Sequence, residues 1–172
     1  MNNLPWLASL LKSRNTIDDK ITAAIGRSAQ ANNIGEYIAS VVFRITLDEA
    51  GKRRGYDGRF SSGPLAGHTV DVQWHPKHNG VMNIKIDAVP DYYLIMTGPE
   101  PSANIANPWV IETIFLFHAG DLLNALRERG VQIGNGTSVT GPLWERAEIY
   151  PVPRNNRLTV EDEERKLLVL FG

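Results

Sequence analysis

The sequence contains no cysteine, and this absence excludes disulfide bonds, thiol nucleophiles and thiolate metal sites. A chain without cysteine fits a reducing compartment, so we expect a cytoplasmic protein. No apolar run approaches the roughly 20 residues of a membrane-spanning helix. The apolar patch at the start of the chain is short and lacks a basic beginning, which argues against a signal peptide. We therefore expect no membrane partner.

Strong net charge is also missing. The formal net charge is −1, so the overall charge favours neither nucleic acid nor a membrane surface as a partner, although a local basic patch can still bind phosphate. Several catalytic motifs are absent as well, namely HExxH, a zinc-binding spacing, a P-loop and GxSxG. Candidate chemistry must therefore be sought in less specific patterns.

The length and the element pattern predict the fold class. A chain of 172 residues, 42% of them hydrophobic, is long enough for one domain with a sizeable core, and we predict a single domain over 1–172. The patterns follow the order helix, strands, helix, strand. This order predicts an α/β fold, a single layered domain with a mixed central β-sheet flanked by helices.

The boundaries of the predicted elements come from apolar periodicity and from turn residues. The predicted elements are a helix from Thr16, a helix from Ile34 to about Leu47, a strand near Tyr56–Phe60, strands at Thr69–His75, Tyr92–Gly98 and Trp109–Phe117, a helix from Gly120 to Gly130, a strand at Val131–Gly134, and a closing helix with an apolar tail within 159–172. Residues 135–156 show no regular pattern.

A row of polar side chains occupies one face of a predicted strand. In the stretch TVDVQWH, Asp71, Gln73 and His75 alternate with apolar residues, and successive side chains of a strand point to opposite faces. Such a row is also what the wet face of an ordinary strand looks like. Asp57, in the turn-forming stretch GYDG, favours a functional site over the wet face of an ordinary strand. Two aspartates on adjacent strands can meet at one point, and carboxylate oxygens are the ligands that Mg²⁺ prefers.

Glu36 is a third candidate acid. On a helical wheel it lies opposite the main apolar face of its helix, but Phe43 and Leu47 lie on its side too. We therefore expect Glu36 to be partly buried, and a buried carboxylate needs a partner. The alternative is a solvated acid at the edge of a helix.

These residues resemble the PD-(D/E)XK nuclease superfamily, which has the restriction-endonuclease-like fold. The resemblance lies in a helix bearing GE, then GYDG, then a strand with acid-x-polar spacing. The chain is also similar, over most of its length, to an uncharacterised group of bacterial proteins with that expected fold. The stretches that carry this similarity are SRNTIDDKITAAIGR, IGEYIA, GYDGRF, GPLAGHTVDVQW, PDYYLIMTGP and WVIETIFLF.

The resemblance implies a metal-dependent nuclease that hydrolyses DNA phosphodiester bonds. It makes Asp57 and Asp71 ligands of Mg²⁺ or Mn²⁺, with Glu36 joining the site as a ligand or catalytic acid. The position of the family's lysine is then occupied by Gln73, which cannot carry a positive charge. A second register makes Gln73 the acid equivalent and His75 the lysine equivalent, with His75 as a general base. Strand geometry leaves both registers open.

A modest basic cluster surrounds Asp57, and we expect it to contact a phosphate backbone. Its members are Lys52, Arg53, Arg54 and Arg59. Lys77 is added to them, because it lies on the same side as Asp71 if the strand continues. The alternative is a solvated hairpin. The expected partner is nucleic acid, primarily DNA. The resemblance to this fold also makes a homodimer an expectation.

Two other functions fit the same sequence. The loss of the lysine is compatible with a catalytically degenerate nuclease-fold domain that binds nucleic acid or a protein partner. A small-ligand pocket is the third reading, because the chain places Trp74, Tyr92, Tyr93 and Trp109 on neighbouring strands, although aromatic residues at strand spacing usually belong to a core.

Overall fold

The computed structural model describes residues 3–49, 55–101 and 109–172. The elements in chain order are α1 (Leu4–Ile25), α2 (Ala31–Val42), β1 (Ile45–Leu47), β2 (Gly58–Phe60), β3 (Thr69–His75), β4 (Val81–Met82), β5 (Tyr92–Thr97), β6 (Thr113–His118), α3 (Ala119–Glu128), β7 (Thr137–Ser138), α4 (Gly141–Ala147), β8 (Glu148–Tyr150) and α5 (Asp162–Leu168), followed by a 3₁₀ turn at Val169–Phe171.

A six-stranded mixed sheet lies at the centre of the molecule. Its strand order is β1-β2-β3-β5-β6-β8, while β4 and β7 form a separate two-stranded sheet. β3 and β5 run parallel, and the other neighbouring pairs of the large sheet run antiparallel. The described chain is therefore a mixed α/β fold with a mixed sheet, as the order of the sequence patterns predicted, and the structure adds that most strand pairs are antiparallel.

Both faces of the central strand β5 are covered. Tyr92, Leu94 and Met96 belong to a hydrophobic cluster shared with α2 and α5. Tyr93 and Ile95 point the other way, into a cluster shared with α3 and α4. All six residues of β5 are buried, which confirms the prediction of a central strand from its continuous apolar run.

The first helix begins earlier than predicted. α1 starts at Leu4 and not at Thr16, and Pro5 in its first turn suits a helix start because its missing N–H would be unpaired there anyway. Thr16 lies in mid-helix, where its Oγ1 donates to the carbonyl of Lys12. The prediction was wrong because the spacing of Thr16 and Asp19 imitates a capping box. No helix in the described ranges is long and apolar enough to cross a membrane.

The second helix ends earlier than predicted. α2 stops at Val42, and the predicted extension to Leu47 is wrong because Ile45–Leu47 forms the edge strand β1. Arg44 adopts the left-handed conformation, with φ of 53°, which an α-helix cannot continue through. Its carbonyl accepts hydrogen bonds from the backbone N–H and the hydroxyl of Ser61, so the reversal is fixed by the next hairpin.

The C-terminal half departs from the predictions in three places. The strand predicted from Trp109 begins only at Thr113. Residues 131–134 form no strand; the backbone N–H of Val131 bonds to the carbonyl of Leu126 in α3, and the carbonyl of Gly134 accepts the N–H of Ile84. Within 135–156, where no pattern was found, the chain forms β7, α4 and β8. The predicted helix end at Gly130 is confirmed, with φ of 67°.

Asp91 ties together the starts of β3 and β5. Its Oδ2 accepts the backbone N–H of Thr69 at 2.8 Å and the Thr69 hydroxyl at 3.1 Å, and His68 Nδ1 lies 3.3 Å from the same oxygen. Burial pushes the pKa of Asp91 upward, but the bonds from Thr69 and the contact with His68 outweigh it, so the pKa lies below the ordinary 3.8. The ionised carboxylate therefore stabilises the fold.

We predict that Asp91→Ala lowers the free energy of unfolding near pH 7 by about 1–2 kcal/mol, since it removes two hydrogen bonds to a charged acceptor. Because the folded pKa lies below the unfolded one, this stabilisation is present above the unfolded pKa and disappears as pH falls through the folded pKa. Urea unfolding should thus show a large difference from wild type near pH 7 and a small one near pH 3. Asp19→Ala, at an exposed position of α1, is the control and should change little.

Candidate functional site

A pocket of about 340 Å³ opens beside β3 and brings together the predicted chemical residues. The five predicted side chains that line it are Glu36, Asp57, Asp71, Gln73 and His75. They come from α2, from the residue before β2 and from β3. Asn83, Lys85 and Ala88, which follow β4, and Asn135 also line the pocket. Segments distant in the sequence therefore meet at one polar cavity.

Asp57 and Asp71 are placed by the pairing of β2 with β3. The register pairs Gly58 with Val70, and the backbone N–H of Asp57 donates to the carbonyl of the same Val70 at 2.9 Å, which places Asp57 beside the start of β3. Asp57 is buried, and its Oδ2 accepts the backbone N–H of Val72 at 2.7 Å. On the other side of β2, Gly58 lets β1 approach closely, because a Cβ there would lie 2.3 Å from the carbonyl oxygen of Thr46. Asp57 and Asp71 thus both line the pocket from neighbouring parts of the sheet.

Glu36 reaches the pocket because Gly35 lets α2 approach β3. A Cβ on Gly35 would come within 2.9 Å of the Cβ of Trp74. Glu36 is only 2% exposed, which confirms its predicted burial, although Leu47 belongs to β1 and not to the same helix. Arg27 Nη1 donates to Glu36 Oε2 at 2.6 Å, so a buried ion pair balances this acid.

Both the nitrogen and the oxygen of the Gln73 side-chain amide form hydrogen bonds within the protein. Its Nε2 donates to Asp71 Oδ2 at 2.7 Å and to the Asn83 carbonyl at 2.6 Å. Its Oε1 accepts the backbone N–H of Asn83 at 3.0 Å and lies 3.1 Å from His75 Nε2. A glutamine amide has two donors and two acceptor sites, and all four are engaged. Gln73 therefore fixes Asp71, His75 and Asn83 relative to one another.

The orientation of His75 follows from this network. Since Gln73 Oε1 is an acceptor, His75 Nε2 must carry the hydrogen, which leaves the other ring nitrogen without one in the neutral form. Burial lowers the pKa of His75 below 6.5, and the neighbouring His78 lowers it further. His75 is thus a neutral imidazole near pH 7.

Two further residues line the pocket: Lys85, which the sequence analysis did not single out, and Tyr93, which it named only for a small-ligand pocket. Lys85 is the only lysine or arginine among the described residues that line the pocket, and it follows the short strand β4, which no pattern predicted. Tyr93 is 1% exposed, yet its hydroxyl has no hydrogen-bond partner among the described residues. Burial and the nearby charge of Asp71 raise the pKa of Tyr93 to about 12.

None of the predicted DNA-contacting residues that the structure describes lines the pocket. Lys52, Arg53 and Arg54 fall outside the described residues. Arg59 donates to the carbonyl of Gly67 at 3.0 Å and lies over the ring of Tyr56, 5.2 Å from its centre. Tyr56 lines the pocket, but neither Arg59 nor Lys77 does. Their contact with phosphate stays a prediction.

The fit of a divalent metal depends on the two aspartates. Across the described ranges, no three histidine, aspartate or glutamate side chains form a cluster that could hold a metal by themselves. Mg²⁺, however, is commonly bound by one or two carboxylates, with waters and substrate phosphates completing its shell. Asp57 and Asp71, which both line the pocket, fit that mode.

Comparison with known proteins adds no identity. No family model matches the chain, and no curated protein matches it either. The resemblance to PD-(D/E)XK nucleases therefore rests on the residues quoted above.

We predict that Gln73→Met, which keeps the side-chain length and removes the amide, destabilises the protein by at least about 2 kcal/mol. The reason is that the N–H and the carbonyl of Asn83 lose their partner in a part-buried site. Chemical denaturation measures the change. Gln132→Met, at an exposed position, is the matched control, and equal stability of the two variants would contradict a structural role of the Gln73 amide.

Proposed function

We propose that the protein is a metal-dependent nuclease of the PD-(D/E)XK type that hydrolyses DNA phosphodiester bonds. The observation that carries the proposal is the convergence of Glu36, Asp57, Asp71, Gln73 and His75 on one pocket. The solvent-exposed face of an ordinary strand requires only polar residues on that strand. It does not account for Glu36 and Asp57, which come to the same pocket from two other segments. The restriction-endonuclease-like fold and the cytoplasmic location are parts of this proposal.

The two aspartates are the proposed ligands of Mg²⁺ or Mn²⁺. When bound, such an ion stabilises charge on a phosphate and makes water more acidic. Asp57 and Asp71 are held for this task by the backbone of Val72 and by the amide of Gln73. Glu36 stays a predicted third acid, and its pairing with Arg27 gives it a role in shaping the pocket.

The hydrogen bonds of Gln73 favour the first register of the motif. The oxygen of Gln73 is engaged by Asn83 and His75, so it is poorly placed to act as a metal ligand, and Asp71 is the better acid. Gln73 is then a positioning residue. His75, neutral near pH 7, is the proposed general base that accepts a proton from the attacking water.

Lys85 supplies the positive charge that the strand lacks at position 73. It lines the same pocket as the two aspartates. A lysine there is attracted to the negative charge that develops on a phosphate during hydrolysis. Lys85 would thus take the role of the family's lysine, although it comes from another segment of the chain.

We predict that Asp57→Asn and Asp71→Asn each abolish Mg²⁺ or Mn²⁺ binding and metal-dependent DNA cleavage, because an amide removes the charge that attracts the cation. Calorimetry measures metal binding, and plasmid and single-stranded DNA serve as substrates.

Asp121→Asn is the control, because Asp121 lines a different cavity and should not affect either measurement. Asparagine variants that cleave DNA at the wild-type rate would contradict the assignment. Thermal unfolding checks that each variant is folded.

The degenerate, DNA-binding alternative has one observation in its favour. Position 73, where the resemblance expects a catalytic lysine, is occupied by a side chain whose hydrogen bonds are all made inside the protein. Under this alternative the wild type binds DNA but does not cleave it with any divalent metal. DNA binding without cleavage, measured by fluorescence anisotropy, would therefore favour the alternative.

We predict that Tyr93→Phe lowers the cleavage rate by about tenfold or more while thermal stability stays equal or rises. A buried hydroxyl without a partner costs free energy in the folded protein, so its removal should not destabilise. The same hydroxyl can donate a hydrogen bond to an oxygen bound in the pocket. A loss of stability in Tyr93→Phe, or an unchanged rate, would show that the hydroxyl serves packing alone.

A further inference from the structure

α1 carries an apolar face that remains exposed to solvent. None of its 22 residues is buried. The large apolar side chains of this face that are between 45% and 64% exposed include Leu4, Leu7, Leu10, Leu11 and Ile17. Helices in proteins gain most of their stability by packing an apolar face, and large exposed apolar patches mark interaction sites. The face therefore calls for a partner outside the chain's own described residues.

The pattern on this face is a heptad repeat. Residues that alternate at spacings of three and four form the a and d positions of a coiled coil. The seam residues are Leu4, Leu7, Leu11, Arg14, Asp18, Ile21 and Ile25. Leu10 and Ile17 lie beside this seam at g positions and widen it. The seam is thus apolar at both ends and charged in its middle.

The two central charges determine which pairing is favourable. Arg14 Nε and Asp18 Oδ2 lie 3.7 Å apart within the helix. In a parallel pair of helices each seam residue faces its own copy, so arginine would face arginine. In an antiparallel pair a positions face d positions, and Arg14 of one copy faces Asp18 of the other.

The same antiparallel alignment matches the apolar residues. If Arg14 faces Asp18 across a two-fold axis at Thr16, then Leu11 faces Ile21 and Leu7 faces Ile25. The arrangement is isologous, since both copies use the same surface. Charged residues on a coiled-coil seam reduce stability but select the register and direction of pairing.

We propose that α1 pairs in antiparallel fashion with α1 of a second copy of this chain and forms a homodimer. The inference rests on α1 alone and is independent of the nuclease proposal. A membrane surface fits the helix less well, because interfacial helices are typically rich in lysine and arginine on their polar side, whereas Asp18 and Asp19 lie beside the basic residues of α1.

Analytical ultracentrifugation of the full-length chain tests the pairing. The wild type is expected at about twice the chain mass of 19.1 kDa. Arg14→Asp and Asp18→Arg should each weaken the dimer by at least about tenfold, because like charges then meet on the seam. An equimolar mixture of the two variants should recover the dimer, since opposite charges face each other again across copies.

Lys12→Asp is the matched control, with the same charge reversal away from the seam, and it should remain dimeric. Because α1 contributes no buried residue, the variants should keep the fold, which circular dichroism verifies. A monomeric wild type, single variants that stay dimeric, or a mixture no tighter than its components would each overturn the proposal. So would a monomer that binds anionic lipid vesicles through α1.

Discussion

The amide of Gln73 is the constraint on which the rest of the pocket depends. It links β3 to the segment after β4 through both polar groups of the Asn83 backbone, and it also holds Asp71 and His75. Each hydrogen bond adds about 1 kcal/mol, but leaving several part-buried groups unpaired costs more. Because the amide can satisfy Asn83 in only one orientation, it also decides which ring nitrogen of His75 carries the hydrogen.

Negative charge in the pocket is balanced in different ways at different acids. Glu36, the most buried of the three, has a guanidinium partner at 2.6 Å. Asp57 accepts a backbone N–H, and Asp71 accepts a neutral amide. Each of the three acids thus has at least one hydrogen-bond donor among the described residues.

The sequence predicted the sheet better than the ends of the helices. β3 and β5 were recognised because alternation at Val70, Val72 and Trp74 and the continuous apolar run from Tyr92 depend only on local side-chain direction. The left-handed Arg44 was not recognised, because an arginine gives no signal of positive φ. β1 was therefore read as a continuation of the helix.

Part of the pocket could be predicted for the same reason. The row Asp71, Gln73 and His75 follows from the period of a strand, and their meeting with Asp57 needed only one hairpin. Lys85 and Tyr93 depend on long-range contacts that no single stretch encodes. Tyr93 reaches the pocket because β5 pairs parallel with β3 and sets it beside Asp71. Parallel pairing joins distant segments, and the sequence carries no local mark of it.

The parallel pairing of β3 with β5 also affects when the pocket can form. Its lining residues lie between Gln30 and Asn135 in the sequence. They include residues on both sides of the connection between β3 and β5, and this connection has to fold back before the two strands can pair. Such non-local pairing is slow, because the chain must close a loop before the contacts form. During synthesis the N-terminal segments emerge first, and the acids of α2 and β3 are then without the lining residues that come later in the chain, such as Tyr93 and Asn135. The ribosome-bound chain therefore carries an unassembled pocket until most of the sheet has emerged.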